Sequence, residues 1–319
     1  GGSSSIKFAL YDTSNPPRQH LHGEVERVGQ ERTLLTLQRS GEPIQRQPVD
    51  GHDAAAAARA LVAHLGDGQG EQRIVGIGHR IVHGGARLLE HQIVTPELIA
   101  ELDSIHELDL AHLPGEIALI RAMAEHFPSV PQVACFDTAF HRNLPRVAQL
   151  LPIPRRYDGA GVRRFGFHGL SYTYLMEALR KQAGEQVADG RIVLAHLGNG
   201  ASMAAVHHSQ PLDTTMAFTP TAGLVMGTRP GDFDPGLLLY LMRPERLTSQ
   251  QMDEFINKRC GLIGVSETSS DMRDLIARRR TDIRAAEAVE LFCYQARKWI
   301  GAFAAAMNGL DTLVFSGGI

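Results

Sequence analysis

The segment Asp213–Gly236, DTTMAFTPTAGLVMGTRPGDFDPG, has neither helical nor strand periodicity, yet it carries Phe218, Leu224, Val225 and Met226. Such side chains are poorly used in a solvated linker. The pattern predicts a tightly folded loop, and long irregular segments inside compact domains usually serve a function. Its centre, Gly227-Thr228-Arg229-Pro230-Gly231-Asp232, sets one guanidinium between two glycines. Glycine lets the chain approach a ligand closely and the guanidinium is a rigid fork of donors, so the expected chemistry is anion binding. The competing expectation is an ion pair from Arg229 to Asp232 or Asp234.

Glycine-rich turns recur elsewhere. Gly2-Ser3-Ser4-Ser5 leads into a strand bearing Lys7, Gly198-Asn199-Gly200 sits at a hairpin tip, and Gly317-Gly318 follows a strand and precedes Ile319. Converging backbone N–H groups at such turns bind phosphate oxygens, although ordinary hairpins use the same residues. Arg80 follows a buried strand and precedes His83-Gly84-Gly85. Asp137 ends an apolar strand, where a carboxylate is costly unless paired or metal-bound. His168 lies between Phe167 and Gly169, and His112 lies in Ala111-His112-Leu113-Pro114. His79 and His196 fall on strands and suit a structural role equally well.

Seven segments taken together resemble the acetate kinase family, the acyl-phosphate-forming carboxylate kinases. They are Gly2–Lys7, Gly78-His79-Arg80-Ile81-Val82-His83-Gly84-Gly85, Phe136-Asp137-Thr138-Ala139-Phe140-His141, Phe167-His168-Gly169, His196–Ser202, the loop 213–236, and Ser316-Gly317-Gly318-Ile319. They occur in family order and run from end to end. The resemblance implies a two-lobed α/β fold of the actin, Hsp70 and sugar kinase type (ribonuclease H-like), with duplicated βββαβαβα domains and a central cleft. It also implies reversible, direct in-line transfer of phosphoryl from ATP to acetate, giving ADP and acetyl phosphate.

Such transfer brings two anions together, and fixed cations must offset their charge. On the resemblance, Arg80 and Arg229 hold the charges and His168 donates a hydrogen bond to the transferring group. Val82, Phe167 and Pro220 form an apolar notch for the substrate, with His112 nearby. Lys7, His196, Gly198, Asn199, Gly200, Asp271, Met272, Arg273, Gly318 and Ile319 belong to the nucleotide side; a plain helix N-cap is the other reading of residues 269–274. Asp137 is either a general base or an orienting group for Mg²⁺ (or Mn²⁺). A carboxylic acid with a pKa near that of Asp (~3.9) is already ionised at pH 7 and needs no base, which favours the metal. The expected partners are a short carboxylate, ATP and a second copy of the chain in a homodimer. Propionate or butyrate kinase is the runner-up. An impaired ATP-binding module is a further alternative, against which the arginine pair argues.

Three departures from the family pattern stand out. The family's first loop begins with an asparagine that precedes this sequence, and its C-terminal part, including a glutamate that helps hold Mg²⁺, follows Ile319; both are expected outside this chain. The segment Asp109–Pro114 looks shorter than the usual Ala-Pro-Leu-His-Asn-Pro. Leu170-Ser171-Tyr172 stands where Thr-Ser-His is common, and Tyr172 can still donate a hydrogen bond.

The 319 residues are 43% hydrophobic and 21% charged with formal net charge -3, an ordinary globular balance long enough for two domains. No basic stripe points to nucleic acid and no basic amphipathic helix to a membrane surface. No apolar run reaches the roughly 18 residues of a membrane span, and the start does not read as a signal peptide. Cys135, Cys260 and Cys293 make neither a disulfide framework nor a CxxC site, so a cytoplasmic location is expected, with Cys135 as core packing.

The elements that must position these groups are strands at Ile6–Tyr11, Gly23–Val28, Thr33–Arg39, Arg73–Val82, Val130–Phe136, Arg191–His196, Ala201–His207 and Asp311–Phe315. Helices are expected at 53–65 behind an Asp53 cap, then at Pro96–Glu107, Gly115–Phe127, Gly236–Met242, Thr248–Lys258 and Ala285–Met307. Thr248 and Gln251 form a capping box. The domain boundary is placed between residues 145 and 146, the first lobe on the acyl side and the second carrying nucleotide and dimer contacts.

Overall fold

The structure is a computed structural model that describes residues 5–65, 74–110 and 112–319. The expected loop residues Gly2, Ser3 and Ser4 and the first residue of the expected strand Arg73–Val82 lie outside those described. Two compact units divide the chain, Gly1–Phe136 and Asp137–Ile319.

The first unit opens with an antiparallel meander of β1 (Ser5–Tyr11), β2 (Gln19–Glu26), β3 (Leu34–Arg39) and β4 (Gln45–Pro48), paired in that order. Val25 and Leu35 face each other across β2 and β3 and are fully buried. Gly23 pairs with Phe8, and a Cβ there would lie 2.6 Å from the Phe8 ring, so only glycine lets that ring cross the strand. Against this sheet packs α1 (Ala54–Leu65), whose first turn is capped by Asp53 Oδ1 accepting from Ala56 N–H at 2.7 Å. Ala57, Leu61 and Val62 form its inner stripe, at the i, i+4 spacing of an amphipathic helix, and meet Val25, Leu35, Met123 and Phe127.

A second sheet of this unit has the order β5 (Ile77–Ile81), β7 (Gln132–Phe136), β6 (Gln92–Ile93), with β5 and β7 parallel. Between its strands run α2 (Pro96–Ser104), capped by Thr95, a 3-10 turn at His106–Asp109, and α3 (Leu113–His126). Strands β4 and β6 were not anticipated. Gln45-Arg46-Gln47-Pro48 is polar throughout, as an edge strand allows, and β6 is two residues long.

In the second unit the strands β8 (Ile192–Leu197), β9 (Ala201–His207), β10 (Gln210–Thr214) and β11 (Thr312–Ser316) form the sheet β10-β9-β8-β11, with β11 parallel to β8. Ile192 through Ala195 are all fully buried, as an apolar run covered on both faces requires. Its helices are α4 (Arg146–Gln149), α5 (Arg155–Gly159), α6 (Gly169–Ala183), α7 (Glu185–Ala188), α8 (Pro235–Glu245), α9 (Ser249–Lys258), α10 (Gly261–Ser266), α11 (Met272–Arg278) and α12 (Ile283–Ala306). The Thr248–Gln251 capping box opens α9 as expected. Helix α6 was not expected. Its Tyr172, Leu175 and Met176 make a helical stripe onto Ile192, Leu194 and Ala204, but its start, His168-Gly169-Leu170, holds no capping side chain. Among the described residues no helix is long and apolar enough to cross a membrane.

Candidate active site

Two glycine turns of the second unit meet at one end of its sheet. The tip between β8 and β9 is closed by Gly198 N–H on the Gly200 carbonyl at 3.2 Å. Gly317, just past β11, has φ +103, and a Cβ there would lie 2.1 Å from the Leu197 carbonyl oxygen. Ile319 N–H donates to that same carbonyl at 3.1 Å. Asn199, Gly200, Gly318 and Ile319 therefore gather at the C-terminal ends of two parallel strands, where open α/β sheets bind ligands.

The segment from Thr215 to Asp234 holds no helix or strand, yet Gly223 through Gly227 are buried. Its polar groups are satisfied one by one, as burial demands. Arg164 Nη1 donates to the Thr215 carbonyl at 3.4 Å, Gly227 N–H to the Asn199 carbonyl at 3.2 Å, and Leu262 and Ile263 N–H to the carbonyls of Met226 and Gly227. Asp232 closes the loop: its Oδ1 accepts from Gly223 N–H at 2.8 Å, and its own N–H donates to the Gly223 carbonyl. Asp234 instead caps α8, accepting from Gly236 N–H at 2.7 Å. Both acids expected to compete for Arg229 are thus engaged by backbone.

Arg229 donates from Nη1 to the Pro220 carbonyl at 2.5 Å. A Cβ added to Gly200 would lie 2.7 Å from Arg229 Nη2 and 3.5 Å from His168 Nε2. Guanidinium, imidazole and a glycine turn therefore converge, and glycine at 200 is what lets them.

His168 sits in the left-handed region, φ 60, ψ 20, directly before α6. Gly169 N–H donates to the Asp137 carbonyl at 2.8 Å, and a Cβ at Gly169 would lie 2.1 Å from that oxygen. Glycine there draws the helix start onto the segment bearing Asp137 and forces the unusual turn at His168, the kind of local strain that collects at functional sites. Its Nδ1 lies 2.8 Å from Ser202 Oγ, and its ring lies against that of His196, centroids 4.2 Å apart and planes tilted by 32°. His196 Nδ1 lies 2.9 Å from Ser171 Oγ.

Asp137 is 1% exposed. His141, four residues on, is buried and pushed down to about 4 by burial, so it is neutral and donates Nε2–H to the Phe167 carbonyl at 3.0 Å. That bond pins the residue before His168. Phe167 is itself buried. Asp271 caps α11, accepting from Arg273 N–H at 2.8 Å, and also pairs with the Arg273 guanidinium, which holds its pKa down at about 2. Met272 points into the interior. The plain N-cap reading of 269–274 is present, and a Cβ at Gly227 would lie 3.2 Å from the Ser270 carbonyl, which sets that cap beside the 227–229 turn. Asp137 is the carboxylate of the expected metal position. Mg²⁺ typically takes one or two carboxylates, substrate phosphates and water rather than a protein cage, so a lone aspartate fits such a role. Among the described residues no group of three His, Cys, Asp or Glu could hold a metal.

In the first unit Lys7, His79, Arg80, His112 and Glu116 line a cavity of about 250 Å³. Arg80 stands at the C-terminal end of β5 and is exposed. Lys7 is exposed and lies 3.9 Å from Glu24. His79 is buried, bonded to Gln132 Oε1 at 2.5 Å, and its pKa is lowered by burial, which suits the structural reading. His112 Nδ1 donates to the Asp109 carboxylate at 2.8 Å, which orients the ring. Val82 is buried, and its N–H donates to Glu116. Burial pushes the Glu116 carboxyl up to about 7 against the opposing pull of the Val82 N–H, His112 and Arg80.

Arg80, Val82, His112 and Lys7 thus belong to the first unit and the remaining expected site residues to the second. Sequence reasoning passed over Glu116, whose signal is an acid on the inner face of α3. It also passed over Ser202, a lone serine in the apolar run of β9. Cys135 has its thiol pushed up by burial, in keeping with packing.

The Acetokinase family profile matches residues 1–319. The chain is 44% identical to the acetate kinase of Rhodopseudomonas palustris over all of its own length and 80% of that protein's, and 40% identical to that of Bacillus subtilis, covering 81% of it. Among solved structures, the Porphyromonas gingivalis acetate kinase superposes with a TM-score of 0.89 at 35% identity, over 99% of this chain and 81% of that one. A propionate kinase from Francisella tularensis does so with a TM-score of 0.92 at 31% identity, over 100% and 82%. With its sequence matched throughout and its fold shared with these enzymes, the chain belongs to the acetokinase family.

Proposed function

We propose that this protein is an acetate kinase, transferring phosphoryl reversibly and in line between ATP and acetate. The observation that carries this reading, beside family membership, is the convergence of Arg229 and His168 on the Gly200 turn. Two donors fixed at one point suit the equatorial oxygens of a transferring phosphoryl group, whose charge must be met by preorganised dipoles and cations. Arg229 holds that charge, His168 donates to it, and Asn199 with its flanking glycines cradles the ATP phosphates. Lys7, His196, Gly198, Gly318, Ile319 and the Asp271-Met272-Arg273 segment serve the nucleotide. Arg80 takes the carboxylate, with Val82, His112, Phe167 and Pro220 shaping its site. When bound, Mg²⁺ or Mn²⁺ neutralises phosphate charge, and Asp137 orients it. The chain works in the cytoplasm as a homodimer.

Propionate is the second substrate to test, because one of the similar solved structures is a propionate kinase. One methylene discriminates by only ~1–3 kcal/mol. The test is ATP-dependent acyl-hydroxamate formation with acetate, propionate and butyrate in parallel, beside Arg229→Ala. Acetate-dependent product that collapses in the variant supports the reading. ATP binding with no product from any acid overturns it and leaves a nucleotide-binding module.

A further inference from the structure

The hydroxyl of Tyr172 is buried inside the second unit, within 2.5 Å of Ser202 Oγ, and Ser202 Oγ is in turn 2.8 Å from His168 Nδ1. Tyr172 and Ser202 are both fully buried. Three groups thus form one line, from α6 through β9 to the residue before α6. The direction of the protons along it follows from counting. Tyr172 has one proton, and among the described residues Ser202 is the acceptor it reaches. Were Ser202 to donate to Tyr172, the phenolic proton would be buried with no acceptor, and an orphaned buried donor is costly. Tyr172 therefore donates to Ser202. Burial raises the phenol's pKa, with Asp137 adding to that rise, so it stays a donor. Were Ser202 to accept from His168 as well, its own buried proton would be orphaned, so that proton points at His168 Nδ1.

We propose that Tyr172 and Ser202 are positioning residues that fix the tautomer of His168, leaving Nδ1 as acceptor and presenting Nε2–H toward Gly200 and Arg229. This rests on the kinase reading of that site only for what Nε2–H meets; the tautomer itself follows from the hydrogen bonds. An imidazolium would have to donate from Nδ1 to Ser202, which leaves either the serine proton or the tyrosine proton without its acceptor. The relay therefore also disfavours protonation of His168. Groups facing the ring include His196, tilted against it from β8, and Arg229 across Gly200, with Asp137 acting on Tyr172.

The test is long-range ¹H–¹⁵N NMR of the protein labelled at the histidine ring nitrogens, with His168 assigned by its loss in His168→Asn. Wild-type His168 is expected to show a pyridine-like Nδ1 and a protonated Nε2 at pH 7. Ser202→Ala, which removes the hydroxyl that donates to Nδ1, frees that nitrogen to carry the proton. The tautomers then mix, the ring protonates at higher pH, and kcat falls roughly 5- to 10-fold with KM for acetate little changed. Tyr172→Phe, which removes one oxygen and keeps the packed ring, leaves the serine proton its acceptor but loses the bond that polarises the hydroxyl, and is expected to move the Nδ1 resonance and the titration in the same direction by less. A protonated Nδ1 in the wild type, or a His168 spectrum and titration unchanged in both variants, overturns the proposal. Because the spectra need no turnover, an inactive wild type with the expected tautomer would count against the kinase reading and leave the relay standing.

Discussion

Val82 N–H donates to the Glu116 carboxylate, 3.1 Å from one oxygen and 3.3 Å from the other, tying α3 to the residue just past β5. The acid that makes this tie is half-buried, and desolvation of its carboxyl pushes its folded pKa up to about 7 from the ordinary glutamate value of 4.5. Between those two values the folded chain holds more protons than the unfolded chain. Its contribution to stability is therefore full below the lower value and is lost as pH rises through the upper one. The slope is at most about 1.4 kcal/mol per pH unit. Glu116→Gln keeps an acceptor for Val82 but does not titrate. Urea midpoints at pH 5 and pH 8 are expected to differ less in the variant than in the wild type; an identical pH dependence in the two would show that Glu116 is not the group responsible.

Gly200 is held to glycine by what faces it. A methyl group there would press on Arg229 Nη2, the end of a side chain anchored through Nη1 to Pro220. Gly200→Ala is expected to displace the guanidinium and lower kcat by roughly 10²-fold, as the misplacement of a charge-stabilising group does. The thermal midpoint is expected to move little, since the arginine end can shift. Hydroxamate assays beside a melting curve check both; full activity in the alanine variant would show that the site has room.

Asp232 shapes the loop without reaching a ligand. It accepts from Gly223 N–H and donates its own N–H back to the Gly223 carbonyl, with Gly223 at φ +95. Asp232→Ala leaves a buried N–H unmet and is expected to cost ~1–3 kcal/mol. Chemical denaturation measures that loss. Activity at saturating acetate should fall with it, because Arg229 rides on the same loop.

Arg80 and lysine are not interchangeable at a carboxylate site. Arg80→Lys keeps the charge and loses the two-pronged donor fork. KM for acetate is expected to rise about 10-fold with KM for ATP nearly constant, in line with the loss of about one charge-assisted hydrogen bond. Equal rises in both constants would assign Arg80 to the nucleotide instead.

Much of this protein was legible in its residues. The buried run Ile192–Ala195, the Asp53 and Thr248 caps and the apolar stripe of α1 are local signals, and local signals survive in one dimension. The loop 213–236 could be read as folded because its apolar residues had no solvated use. Motif order assigned the family and pointed to Arg229, His168 and Gly200. Helix α6 was missed because its start relies on the left-handed turn at His168 and on contact between Gly169 and the Asp137 carbonyl, partners some thirty residues apart. The roles of Asp232, Glu116 and Ser202 were invisible for the same reason. What an acid or a hydroxyl does depends on which donor lies within about 3 Å of it, and only the folded chain brings those donors there.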